Sequence, residues 1–352
     1  MYTNSYLLAG RAICSPRLFG GGPRWFDWGL AAWWIAALLL ATQPAVQAAE
    51  RLSRDGDSTN ESTDGEPSAG KQWALIICGL PGDDEHRAMY AESVEQLTAA
   101  LVGRLGFARD CIRVQFAGEP TENDGPAIRS SRGKASCEEL EGELADLRRQ
   151  LRQQDSLWTI VLGHGHYDGR NAYLNLPGRD LHQGDFAKLF AGVRAQRQVF
   201  MITTSVSGFF IRPLSGKNRV VITATEADFE VNETLFHAAL AEVLTEPPAE
   251  ADLDVDGSGN ITLFDLYIAV TKNVAQRYLS EMLLATEHAL LDDNGDGRGT
   301  ELHLDYLSEE EGGRGGSGRP PRIRENSDGA LAKRIRLRWS DERPASTPAS
   351  RP

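Results

Sequence analysis

From Trp73 onward, short apolar runs of strand length alternate with longer amphipathic stretches. Trp73-Ala-Leu-Ile-Ile-Cys78 is a continuous apolar run, closed by the turn residues Gly79-Leu-Pro-Gly-Asp-Asp84. A helix is expected from about Glu85 to Leu105, then a strand over Cys111-Ile-Arg-Val-Gln-Phe116. Residues 117–135 are rich in Gly, Pro and Asn and read as a surface loop. Ser136 caps a charged helix from Cys137 to about Gln153, with Glu139 at the capping-box position. Trp158-Thr-Ile-Val-Leu162 reads as a buried strand that runs into His164-Gly165, and Val199-Phe-Met-Ile202 runs into Thr203-Thr-Ser-Val-Ser-Gly208. Arg219-Val-Val-Ile-Thr223 is a further strand, with helices expected over about 183–193 and 233–244. Strands alternating with helices predict an α/β fold whose parallel sheet is covered on both faces. In such sheets the reactive groups gather at the carboxyl ends of the strands, where His164, Gly165 and Ser205 all fall.

The flanks differ in character. Arg11, Arg17 and Arg24 precede an apolar run from Gly29 to Ala41, and Val46-Gln-Ala48 supplies a small-residue cleavage site. Residues 1–48 are therefore expected to be a secretory signal, which places the mature protein outside the cytoplasm, periplasmic or extracellular. The alternative is an uncleaved anchor through 28–49, and only in that case is a membrane a partner. Residues 49–71 lack periodicity and read as a solvated linker. Residues 307–352 turn to Glu and then Gly/Arg/Pro/Ser, and read as a mostly disordered tail. Within it, Leu331-Ala-Lys-Arg-Ile-Arg-Leu-Arg-Trp339 alternates as an edge strand packed on the domain does, or as a patch that meets anionic surfaces.

Charge narrows the partners. Residues 1–48 carry three arginines and one aspartate, a net +2, so the formal charge of −13 becomes −15 without them. An acidic exported chain suits cation binding and argues against nucleic acid. Cys14 lies in the signal; Cys78, Cys111 and Cys137 remain, an odd number that argues against a disulfide framework.

The paired strand ends, one closing on His164-Gly165 and the other on Ser205-Val-Ser-Gly208, resemble the caspase–legumain–gingipain superfamily of cysteine peptidases, in its legumain-type form. The resemblance spans roughly residues 72–245 and implies a caspase-like three-layer sandwich over 72–246. It implies that His164 is the acid/base, and that Gly165 N–H donates to the oxyanion, helped by Ser205 N–H. Ser205 stands where the family has its nucleophilic cysteine, and no cysteine follows Cys137. It further implies that Arg87 grips a substrate side chain. Thr223-Ala-Thr-Glu-Ala-Asp228 would form the specificity wall, with Glu226 and Asp228 favouring a basic side chain. A thiol is partly ionised at neutral pH, whereas a serine hydroxyl needs a base in direct contact. The reading that follows is a catalytically degenerate relative that binds a peptide or protein ligand; the alternative is an active peptidase or amidase using Ser205 with His164. His166 and Asp168 beside His164 read as loop residues or as a metal cluster with it.

Asp254-Val-Asp-Gly-Ser-Gly-Asn-Ile-Thr-Leu-Phe-Asp265 follows the twelve-residue EF-hand loop. Asp254, Asp256 and Ser258 supply oxygens, Gly259 the sharp turn, Asn260 its carbonyl, Ile261 the apolar anchor and Asp265 the last carboxylate. A structural calcium ion is therefore expected, bound weakly because Asp265 is shorter than the usual Glu. Asp292-Asp-Asn-Gly-Asp-Gly297 begins similarly, as a partial loop or as a turn capping a long helix from about Leu263 to Leu291. Residues 247–306 are thus expected to be a helical EF-hand-like extension, and a calcium-dependent interaction module is a third reading of the chain.

Overall fold

The computed structural model describes residues 70–227, 230–315 and 322–340, all within one unit, Asp64–Pro352. The expected signal segment and nearly all of the expected 49–71 linker lie outside the described residues. In chain order the elements are β1 (Gln72–Cys78), α1 (Asp84–Gly103), β2 (Ile112–Phe116), α2 (Pro126–Arg129), α3 (Cys137–Gln150), β3 (Ser156–Leu162), β4 (Gly165–Tyr167), β5 (Ala172–Leu174), β6 (Leu181–His182), α4 (Gln183–Leu189), β7 (Arg197–Ile202), α5 (Ile211–Leu214), β8 (Arg219–Thr223), α6 (Phe236–Thr245), α7 (Glu250–Leu253), α8 (Leu263–Ser280) and β9 (Leu290–Asp292). The main sheet has the order β2-β1-β3-β7-β8-β9; its first five strands are parallel and β9 is antiparallel to β8.

Alternation along β1 explains the layers. Ala74, Ile76 and Cys78 pack with α1, α6 and α8 on one face, while Trp73, Leu75 and Ile77 pack with α3, α4 and α5 on the other. Because both faces are covered, the strand reads as a continuous apolar run rather than an alternating one. The expected α/β fold with a mostly parallel sheet is present, as a three-layer sandwich. The Ser136–Glu139 capping box starts α3 as the sequence predicts. Residues 165–182, which lack a strong strand pattern, form a three-stranded antiparallel sheet beside the main one.

Two expectations change, and the 331–339 segment follows the packed reading rather than the surface-patch one. The helix predicted over 263–291 stops at Ser280, and Leu290–Asp292 instead pairs with β8. Met282 turns into the left-handed region at φ 56° and Leu283 N–H returns to Tyr278 O, so the helix cannot continue. The apolar pair Leu290-Leu291 then closes the sheet edge, and Leu291 is fully buried. Residues 247–306 are consequently built into the helical layer and the sheet; Leu263, Phe264 and Tyr267 belong to the same core as β1. Within the expected tail, residues 322–340 pack on the domain, burying Ala332, Ile335 and Leu337. Leu337 N–H donates to Ile261 O and Leu263 N–H to Ile335 O, each at 2.9 Å. Among the described residues no helix is long and apolar enough to cross a membrane.

Candidate functional site

The chain leaves β1 outward to β2 and returns across β1 to β3, so strand order reverses between β1 and β3. That reversal opens a crevice at the carboxyl ends of the two strands, where ligands of open α/β sheets bind. The strand ends are tightly joined there: Gly79 N–H donates to Leu162 O at 2.9 Å, and at Gly163, with φ 114°, a β-carbon would come to 3.0 Å from Gly79 N.

His164 leaves β3 directly into this crevice. Its Nε2 lies 2.8 Å from Pro81 O, on the turn that follows β1. A carbonyl only accepts, so Nε2 carries the hydrogen and the lone pair is on Nδ1. Two residues that no sequence motif singles out stand beside it. His86, in the first turn of α1, meets the His164 ring edge-on with centroids 5.2 Å apart. Its Nδ1 lies 2.6 Å from Asp83 Oδ1 and its Nε2 2.6 Å from Glu233 Oε2. Hydrogen bonds to Asp83 and Glu233 hold the His86 pKa above the usual histidine value. Tyr90 O–H donates to Glu233 Oε1 at 2.9 Å, and the Tyr90 ring rests on His237 at 4.8 Å. Burial pushes His237 down to about 4, so at neutral pH it is an uncharged packing partner.

Ser205 lies three residues beyond the end of β7, the neighbouring strand. Val206, just after it, takes the left-handed conformation at φ 52° while fully buried, an outlier for a β-branched residue. This sharp turn aims Ser205 at Gly165. Ser205 Oγ donates to Gly165 O at 3.0 Å and accepts from Gly165 N–H at 3.4 Å. Gly165 is required for this approach, since a β-carbon there would come within 2.7 Å of Ser205 O. The structure therefore brings His164, Gly165 and Ser205 to one place. The Ser205 hydroxyl is engaged by Gly165 backbone, and the Gly165 N–H expected to serve the oxyanion is engaged by that hydroxyl.

The other expected site residues fall as follows. Arg87 makes a bidentate pair with Asp124, at 2.9 and 2.7 Å, and lies over the Phe116 ring, which ties α1 to the loop after β2. Glu226 sits in the loop after β8, where its N–H donates to Glu230 Oε2. Asp228 lies outside the described residues. His166 is apart from His164: its Nδ1 meets Asn175 Oδ1 and its ring stacks on Tyr173. Asp168 accepts from the N–H groups of Arg170 and Asn171, closing the β4–β5 turn. Cys78, Cys111 and Cys137 are all unpaired and buried, and burial raises the Cys78 thiol above its ordinary range.

In the calcium-type loop, Asp254, Asp256 and Asp265 bring one oxygen each within 4.8 Å of the others. Gly257 and Gly259 supply the left-handed turns at φ 67° and 71°. Ser258 N–H donates to Asp254 Oδ1, and Ser258 Oγ donates to Asn260 O. The donor set fits a hard cation, with two competitors built in. Asp265 accepts from Val255 N–H and from Thr262 N–H and Oγ1–H, capping α8. Lys333 Nζ sits 2.9 Å from Asp256 Oδ2. The entering helix is only the four-residue α7, and the second loop follows β9 rather than a helix.

No family model matches the chain, and comparison with curated proteins finds no match either.

Proposed function

We propose that this chain is an exported protein on a legumain/caspase-like core that binds a peptide or protein ligand without hydrolysing it. The observation that supports this most is the state of Ser205. Its hydroxyl proton goes to Gly165 O, and the hydrogen-bonded nitrogen of His164 goes to Pro81 O. A serine becomes a nucleophile only when a base in hydrogen-bond contact takes that proton, and the base must itself be oriented by a third group. Here the third group is present in Pro81 O, and the contact between base and hydroxyl is missing.

The test is a fluorogenic peptide library presented to wild type, Ser205→Ala and Ser205→Cys, with peptide binding measured in parallel. Wild type and Ser205→Ala are expected to be equally silent and to bind the same peptides. Cleavage by wild type that Ser205→Ala abolishes would establish the serine peptidase or amidase instead.

Calcium enters the proposal as a structural ion of the 254–265 loop. Loops of this type outside cells bind at roughly 10⁻⁴–10⁻³ M. Ten-fold excess over such a dissociation constant stabilises the fold by about 1.4 kcal/mol, or roughly 3–6 °C for a domain of this size. Millimolar calcium is expected to raise the melting temperature of wild type by that amount and to leave Asp254→Ala unmoved; equal shifts in both would remove the loop from consideration.

A further inference from the structure

We propose that His86, His164 and Glu233 hold a divalent transition-metal ion of the zinc type. The three donors come from the first turn of α1, the end of β3 and the segment before α6, and one ligand atom of each lies within 4.8 Å of the other two. They converge at the crevice between β1 and β3, the place the sheet topology reserves for a ligand.

What separates this cluster from a chance meeting of polar side chains is that each donor is held from behind. Asp83 Oδ1 takes His86 Nδ1 at 2.6 Å, which leaves Nε2 to bind. Pro81 O takes His164 Nε2 at 2.8 Å, which leaves Nδ1 with the lone pair. Tyr90 O–H takes Glu233 Oε1 at 2.9 Å, which leaves Oε2. Metal-binding histidines characteristically give their other N–H to a carboxylate or a backbone carbonyl, and ligating carboxylates are themselves hydrogen-bonded. Tyr90 and His237 are buried beneath Glu233, with Ser93 Oγ 3.0 Å from His237 Nδ1, so this support is rigid.

Two imidazoles and one carboxylate suit borderline first-row cations and not calcium, which takes oxygen donors alone. Three protein donors also leave a position for water or an oxygen ligand. His86 Nε2 and Glu233 Oε2 already face each other, at 2.6 Å. His164 then serves as a ligand rather than as a proton shuttle, which is independent of whether a peptide binds nearby.

The experiment is a calorimetric titration of tag-free, chelator-stripped protein with Zn²⁺, with Co²⁺ visible spectra as a second readout. One zinc site is expected, with cobalt bands of low-coordinate geometry. His86→Ala and Glu233→Gln should abolish both signals, and Asp83→Asn should weaken affinity about 10–100-fold. Asp254→Ala and Ser205→Ala should leave the site intact, which separates it from the calcium loop and from the peptide reading. Wild-type affinity retained in His86→Ala, or no zinc site in wild type, overturns the proposal. Circular dichroism identifies any variant that does not fold; the exposed Asp83→Asn then decides, because wild-type affinity in it overturns the proposal as well.

Discussion

Gly208→Ala is expected to destabilise the protein by about 2 kcal/mol or more, lowering the melting temperature by roughly 4–8 °C. A β-carbon at Gly208 would lie 2.3 Å from Glu226 C and 2.4 Å from Ala227 N, both backbone atoms. The opposing segment cannot withdraw easily, because Ser207 Oγ accepts from the N–H groups of Ala224 and Thr225 at 3.0 Å each. Ser207 N–H in turn donates to Thr225 Oγ1 at 2.8 Å. Gly142, in the middle of α3 with open space where its β-carbon would stand, provides the contrast. Gly142→Ala should stabilise by about 0.5–1 kcal/mol through helix propensity alone. Thermal melts of both variants make the check, and a neutral Gly208→Ala would mean that the turn after Ser205 is looser than its hydrogen bonds imply.

The second large effect concerns pH. Glu287 is buried at the amino-terminal end of α6, where its two oxygens accept from Leu235 N–H at 3.0 and 3.2 Å. Burial pushes its pKa from the ordinary 4.5 up to about 8. Between those values the folded protein keeps a proton that the unfolded chain has released, so stability falls as pH rises through the window. The contribution is present in full below the unfolded value and lost above about 8. Each pH step of one across that window is worth about 1.4 kcal/mol, so the whole loss is on the order of a few kcal/mol. Glu287→Gln keeps a neutral acceptor at α6 and removes the titration. It should stay close to wild type near pH 5 and exceed it by a few kcal/mol near pH 9. Denaturant melts at the two pH values check this, and parallel curves for the two proteins would show that Glu287 ionises freely in the fold.

The two kinds of information in the sequence had different reach. Strands β1, β3, β7 and β8 were legible because a strand buried on both faces needs an unbroken apolar run, and such runs are rare elsewhere in this chain. Their carboxyl ends then located His164, Gly165 and Ser205. β9 was not legible. Leu290-Leu291 continues the apolar pattern of α8, and the break at Met282 depends on backbone geometry rather than on a proline or glycine. Nor was the pairing of His86 with Glu233, across 147 positions. Neither residue lies in a recognisable motif; they meet because α1 and α6 share one face of the sheet. Over 331–339 composition and pattern point different ways: the arginines suggest solvation, whereas Ile335 and Leu337 alternate with them and face inward, as the packed reading requires.

The inward return of that segment sets an order of assembly. Arg104, buried at the end of α1, gives its Nη1–H to Ser340 O across 236 positions and its Nε–H to Leu244 O, with the Trp339 ring against the guanidinium at 5.4 Å. A chain growing from its amino terminus makes the central strand and α1 early and can offer Leu244 O soon after, yet the Ser340 carbonyl is present only once residue 340 has emerged. Until then a guanidinium either remains in water, holding the helix end away from the core, or enters the core with a partner missing, which is costly. The carboxyl end of α1 is thus closed late, since contacts so distant in sequence form slowly.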